Sequence, residues 1–348
     1  MNIRYNKKKQ LLVLLVVLPV LVIGIFYAIT ITKEKKINVK IELIMQYGKD
    51  EISEEEMFGL ISSFTLDQNQ NLYVADDAFK VIKKFSKEGK LIQTFGYGPG
   101  KGPGELSNLH NICVDDSCNV YVIDKINKNV NVYDSLNHLI TTFKLPFLPA
   151  QIIAVRPLIV DVMGFPFTYN GDLIHRYNLL NVYSDKPEMI YCERPKGRNA
   201  KMNEISGFSG ILLKSPGGYI YYSYFYPYII NKYSEDGKLL LIINGTRSVI
   251  APYYEPGTRI IKSPSVVREV AILPGDIILI LVDIERGKEV KQYFDFIDGK
   301  NGEYLGSVSC TDLGLEEVRF IRSDVEGNIY LDKMDPYPHI LKYKLFLE

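Results

Sequence analysis

Two stretches of this chain repeat one pattern 48 residues apart. The first runs Leu66-Asp67, Asn71-Leu72-Tyr73-Val74-Ala75-Asp76, Val81 to Phe85 and Gly89 to Phe95. The second runs Val114-Asp115, Asn119-Val120-Tyr121-Val122-Ile123-Asp124, Val130 to Tyr133 and Asn137 to Phe143. A constant offset held over so long a stretch requires a repeat architecture. Within each copy the pattern is that of four short strands. From Asn71 to Asp76 the side chains alternate, with Leu72, Val74 and Asp76 on one side and Tyr73 and Ala75 on the other. That is the two-residue period of a strand. Turn formers separate the runs, at Asp67-Gln68-Asn69-Gln70, Asp76-Asp77 and Lys87-Glu88-Gly89. Four strands in about 40 to 50 residues make one blade of a β-propeller. The stretch Gly96-Tyr97-Gly98-Pro99-Gly100-Lys101-Gly102-Pro103-Gly104-Glu105-Leu106 is too rich in glycine and proline for helix or central strand, so it links one blade to the next.

Fainter copies continue the pattern. Blades are expected near residues 62–96, 109–145, 150–192, 207–244, 265–309 and 316–348, the third with a strand run from Leu173 to Tyr183. The last contains only three strands, expected over Val318 to Ile321, Asn328 to Leu331 and Ile340 to Leu345. A lone strand at 38–47, alternating Val39, Ile41, Leu43 and Met45 against Lys40, Glu42 and Gln46, is free to supply the fourth. Such a joint ties the two ends of the chain together and leaves fewer open edges. The expected fold is therefore all-β, a six-bladed β-propeller closed by an N-terminal strand and preceded by one transmembrane helix.

The residues Gly102-Pro103-Gly104-Glu105, Asn111-Ile112-Cys113-Val114-Asp115 and Asn119-Val120-Tyr121-Val122-Ile123-Asp124 resemble the NHL-repeat pattern and bacterial six-bladed propellers with NHL-like blades. The resemblance covers residues 62–145. It departs from the family where a proline common before the first strand is Leu109-His110 here. It implies a propeller whose usual business is binding, in a family that also includes enzymes.

The head of the chain, residues 1–10, carries Arg4, Lys7, Lys8 and Lys9, and Leu11 to Ile31 then holds no charge. At about 1.5 Å per residue such a helix crosses a hydrocarbon core of about 30 Å. The basic head stays in the cytoplasm, and residues 11–32 act as a single-pass signal-anchor in a bacterial inner membrane. Residues 33–348 then lie in the periplasm or extracellular space. Secretion after signal cleavage is the alternative, and Tyr27-Ala28-Ile29-Thr30 is a poor cleavage site for it. With 41 basic and 41 acidic side chains, nothing favours a nucleic-acid partner.

For a site, the loops joining second to third strands, and one blade to the next, gather on one face of a propeller. Here they are aromatic and arginine-rich. The candidate ligand-binding residues are Lys101, Glu105, His110, Arg156, Tyr169, Tyr226, Tyr254 and Tyr337. Tyrosine and arginine give binding surfaces large contact area with a polar end. The expected function is a binding module for a peptide, a protein segment or a glycan outside the cytoplasm. The competing account of these aromatics is packing between blades. An alternative function is a metal-dependent propeller enzyme, lactonase- or lyase-like, with its site in the central channel near Glu105, His110 and Asn111. No catalytic residue, metal or cofactor is expected from any motif, since no nucleophile elbow, phosphate loop or HExxH is present. The four histidines are scattered rather than set at ligand spacing. Asp76 and Asp124 end equivalent strands and are expected to bond loop N–H groups. Cys113 and Cys118 flank one turn, as a bridge or as two quiet thiols.

Overall fold

The structure is a computed structural model. It describes residues 35–48, 55–165, 172–180, 186–194, 210–247, 253–254, 261–262, 265–286 and 289–348. Its strands follow in chain order. β1 (Val39–Tyr47) comes first. The first blade is β2 (Ile61–Leu66), β3 (Leu72–Asp76), β4 (Val81–Phe85) and β5 (Leu91–Phe95). The second is β6 (Leu109–Val114), β7 (Val120–Asp124), β8 (Asn129–Tyr133) and β9 (Leu139–Lys144). The third is β10 (Pro149–Arg156), β11 (Ile159–Gly164), β12 (Ile174–Asn178) and β13 (Met189–Tyr191). The fourth is β14 (Gly210–Lys214), β15 (Ile220–Tyr224), β16 (Ile229–Tyr233) and β17 (Leu239–Asn244). A short pair, β18 (Tyr253–Tyr254) and β19 (Ile261–Lys262), precedes the fifth blade. That blade is β20 (Ser265–Leu273), β21 (Ile277–Arg286), β22 (Glu289–Asp298) and β23 (Tyr304–Ser309). The sixth holds β24 (Ile321–Ser323), β25 (Asn328–Lys333) and β26 (His339–Leu347).

Each blade is an antiparallel meander, and the sixth has the order β1-β26-β25-β24. The expected closing strand is thus found: Val39 lies opposite Leu347 and Tyr47 opposite Ile340. Among the described residues no strand of one sheet pairs with a strand of another, so apolar packing is the main joint between neighbouring blades. Six hydrophobic clusters lie among the described residues, one between each pair of adjacent blades. The one built on Tyr47, Phe64, Phe85, Tyr330 and Ile340 joins the sixth blade to the first and closes the ring. Tyr73, Tyr121, Tyr133, Tyr221 and Tyr330 are fully buried in or beside these layers. A tyrosine fills the wedge between two blades and carries its hydroxyl to a polar partner at the edge, so packing accounts for many of the aromatics.

Two strands differ from expectation. The first strand of the sixth blade was expected at Val318 to Ile321, but β24 starts at Ile321. Val318 is held instead by one side chain, Gln292, which accepts from its N–H and donates to its C=O at 2.8 Å each. The run expected from Leu173 to Tyr183 ends as strand at Asn178, whose Oδ1 accepts from Leu180 N and starts a turn. Among the described residues no helix is long and apolar enough to cross a membrane. The expected anchor at 11–32 lies outside the described residues.

Candidate functional site

All six inner strands run the same way. The turns from first to second strand therefore share one face with the turns from third to fourth, here the turn face. The second-to-third turns and the blade crossovers occupy the opposite, crossover face. A cavity of about 680 Å³ lies in the central channel and is lined from all six inner strands, at Thr65–Gln68, Ile112–Asp116, Ile152–Arg156, Ile211–Gly218, Val270–Ile272 and Arg322–Val325. Every one of these segments is the end of an inner strand or the turn that follows it, so the cavity opens at the turn face.

Three of those turns are built alike. Asp67 Oδ1 accepts from Asn69 N and Asn71 N at 2.9 Å, while Oδ2 accepts from Asn71 Nδ2 at 2.8 Å and Tyr73 Oη at 3.2 Å. Asp115 repeats this with Ser117 N, Asn119 N, Asn119 Nδ2 and Tyr121 Oη at 2.6–2.9 Å. Asp324 repeats it with Glu326 N, Asn328 N, Asn328 Nδ2 and Tyr330 Oη at 2.8–3.2 Å. The spacing Asp-x-x-x-Asn-x-Tyr is thus a turn device that makes a carboxylate, an amide and a buried phenol into one unit. It stood in the sequence three times and was the missed signal for the cavity rim.

Side chains stitch the inner strands across blades. Asn111 Nδ2 donates to Ser63 Oγ at 3.2 Å, and Asn111 Oδ1 accepts from Ile152 N at 3.0 Å. Gln151 Oε1 accepts from Leu212 N at 2.6 Å, and Ser323 Oγ donates to Ile272 O at 2.7 Å. Arg322 lies 3.3 Å from the buried Glu269 carboxylate and 5.7 Å from the Phe64 ring centre. Burial pushes the Glu269 carboxyl up against the pull of Arg322. An inner strand has no sheet partner on its channel side, so these groups satisfy backbone that would otherwise rely on channel water.

The described members of the eight expected ligand residues lie in different parts of the molecule. Of those described, only Arg156 lines the cavity, and it ends β10 on the turn face rather than standing with the others. There it pairs with Glu235. Lys101 is exposed in the loop between β5 and β6, where Glu105 turns back so that its Oε2 accepts from Gly102 N at 2.8 Å. His110, in β6, has its ring 5.8 Å from that of Phe165 on the crossover face. Burial and the nearby Lys125 lower its imidazole to about 4. Tyr226 is half-buried between β15 and β16, and Tyr337 accepts from Gln46 Nε2 at 3.0 Å. Tyr169, and the side chain of Tyr254, lie outside the described residues.

Two of the described arginines, Arg247 and Arg176, are held by buried carboxylates. Arg247 is not displayed: its Nε donates to both oxygens of buried Asp295 at 2.8 and 2.9 Å. Burial pushes the Asp295 carboxyl up, against the pull of the Arg247 guanidinium. Arg176 donates from Nε and Nη2 to the two oxygens of buried Asp161 at 2.7 Å each, inside the third blade. Asp76 and Asp124 are turn residues as expected. Asp76 accepts from Gly59 N and Leu60 N at 2.9 and 3.0 Å, and Asp124 from Ser107 N at 2.7 Å. All four cysteines, including Cys113 and Cys118, are free. Among the described residues no three His, Cys, Asp or Glu side chains converge on a metal position.

Solved structures share this architecture at low identity. A member of the DUF4221 family from Bacteroides vulgatus is 10% identical, with a TM-score of 0.58 over 90% of this chain and 100% of its own. A candidate exported protein from Bacteroides fragilis is 12% identical, with a TM-score of 0.62 over 88% of this chain and 95% of its own. Virginiamycin B lyase from Staphylococcus aureus, in an inactive form with quinupristin, is 11% identical, with a TM-score of 0.52 over 89% of this chain and 100% of its own. At these identities the likeness is one of fold. No curated protein matches the chain. A family model described as 6-bladed beta-propeller matches residues 32–240. Matched over more than half its length, and with six sheets packed into a ring, the chain belongs to the DUF5128 family of 6-bladed beta-propellers.

Proposed function

We propose that this protein is a binding propeller with NHL-like blades, anchored by residues 11–32 and displayed outside the cytoplasm, whose ligand enters the central channel from the turn face. The cavity carries the reading. It is about 680 Å³, inside the range of small-ligand and peptide-end sites, and all six blades contribute to it. Its walls mix aliphatic side chains, strand edges and the cations Arg156, Lys214 and Arg322. That mixture suits a peptide, a protein segment or a glycan, which present apolar and polar groups together. The candidate exported protein of the same fold supports the extracytoplasmic address.

The lactonase- or lyase-like alternative finds less support. Three of the channel's carboxylates hold turns and have their oxygens engaged, which removes them as metal ligands or general bases.

The chain contains no tryptophan, and Val325 sits at the cavity rim with 54% of its surface exposed. Val325→Trp in the full-length, detergent-purified chain is therefore a reporter for the channel mouth. Titration with a panel of short peptides and oligosaccharides is expected to give a saturable emission change for a subset. Thr65→Phe, which places a ring in the channel, abolishes that change without lowering the melting temperature. Ligands that bind equally well to the Thr65→Phe chain would place the site elsewhere and overturn the reading.

A further inference from the structure

The cavity's net charge, as counted from its sequence, misleads. Five acids line it, Asp67, Asp115, Asp116, Glu235 and Asp324, against the three cations Arg156, Lys214 and Arg322. By count this is a cation site. By geometry it is not. Asp67, Asp115 and Asp324 each accept four hydrogen bonds from their own turn and its Asn and Tyr. Asp67 and Asp324 also face Lys84 at 3.9 Å and Lys342 at 3.3 Å. Glu235 is paired with Arg156, which leaves Asp115 and Asp116 as the lining carboxylates outside any described ion pair, Asp115 with both oxygens taken up by its own turn.

The cations are less fully engaged. Lys214 Nζ donates to the neutral carbonyl of Val155 at 2.5 Å. An ammonium has three N–H donors and gains no charge compensation from a carbonyl. In Arg322 a single nitrogen, Nη1, makes both described contacts, to Ile321 O at 2.6 Å and to Glu269 at 3.3 Å. The rest of the five-donor fork remains available to a ligand. Beside these cations, the inner strands present one edge each to the channel. Their backbone groups recur at about 3.3 Å per residue, which is the repeat of an extended peptide. Ile152, Ile211 and Val270 give the wall an aliphatic surface for a side chain.

Resting on the channel-binding reading above, we infer that the cavity receives the free carboxylate end of an extended peptide, with Lys214 and Arg322 as its cationic contacts. The guanidinium fork takes a carboxylate in two parallel hydrogen bonds, and Lys214 adds a point charge nearer the mouth. Edge groups other than Ile152 N, Leu212 N, Ile272 O and Val155 O, which side chains already engage, bond the last peptide groups, a mode in which main-chain contacts hold and one pocket selects.

The test uses the full-length Val325→Trp chain and two probes, an N-acetylated degenerate pentapeptide pool made as free acids and the same pool made as amides. The acid pool is expected to saturate the emission change at a concentration about tenfold lower than the amide pool, as for one charge-assisted contact. Lys214→Met erases most of that preference, and added salt weakens the acid pool alone. Arg322→Gln by itself would strand buried Glu269, so it is made together with Glu269→Gln, and this double variant also loses the preference. Equal binding of the two pools, a preference for amides, or an acid preference that survives both variants overturns the inference. If neither pool acts but an oligosaccharide gives a Thr65-sensitive signal, the inference fails and the channel reading stands. If no probe acts at all, both fall.

Discussion

Tyr121 joins two blades through one oxygen atom. Its hydroxyl donates to Asp115 Oδ2 at 2.6 Å and accepts from Leu158 N, in the next blade, at 2.7 Å. Removing it leaves a carboxylate oxygen and a backbone N–H short of a partner where water has little access. Tyr121→Phe is therefore expected to cost about 2 kcal/mol, read as a lower urea midpoint at unchanged slope. Tyr73 fills the equivalent place in the first blade, and its described hydroxyl bond is the single, longer one to Asp67 at 3.2 Å. Tyr73→Phe is expected to cost about half as much, about 1 kcal/mol. Equal losses would show that the second bond of Tyr121 contributes nothing. His110 supplies a prediction in pH. Desolvation first, and then the Lys125 ammonium, lower its imidazole from 6.5 to about 4, with Asp77 pulling the other way. Between those values the unfolded chain takes up a proton that the folded chain refuses, so stability is full above pH 6.5 and falls as pH drops towards 4. His110→Gln removes this contribution. Its urea midpoint should fall less steeply than the parent's between pH 7 and 4.5, while His175, shifted in the same direction, acts in both proteins.

At the scale of elements, the N-terminal segment does two jobs in sequence. Residues 35–37 lie alongside β23 of the fifth blade, where Ser307 N donates to Lys35 O at 2.9 Å and Lys36 bridges Ser307 in parallel. The chain then becomes β1 and completes the sixth blade. Gly306 allows the first contact: its φ is +153°, and a Cβ there would meet Ile37 Cβ at 2.7 Å. One short segment thus ties two blades, and Val39 and Ile41 pack on the cluster between them. Deleting residues 35–47 strips both edges and opens that cluster. Compared with a chain starting at residue 33, the truncated protein should melt at least about 5 °C lower, with a broader transition. An unchanged melting curve would mean that the ring closes without this strand. β1 also shows why an edge can be apolar in part: Leu43 and Ile44 are exposed at the bulge between Leu43 and Met45, which distorts the edge against further pairing.

Over the whole molecule, the division between what was legible and what was not follows distance along the chain. The 48-residue repeat, the strand period and the Gly-Pro crossover are local patterns, and they located the first two blades and the closing strand. The degenerate blades were found by spacing, with errors where a side chain such as Gln292 does the work of a strand partner. Of the described residues singled out as ligand contacts, Arg156 alone lines the channel cavity, and the reason is physical. Arginine in a loop reads as a displayed charge, yet Arg247 reaches a carboxylate 48 positions later in the chain. The channel draws only a few residues from each blade, so no window of sequence contains it. What the sequence by itself determined is the number of blades, their four-strand meander and the seam that closes them, because backbone pairing and side-chain alternation act over a few residues. The tertiary structure alone decided which charges face the channel and which hold turns, because a carboxylate's availability depends on the donors that folding brings to it.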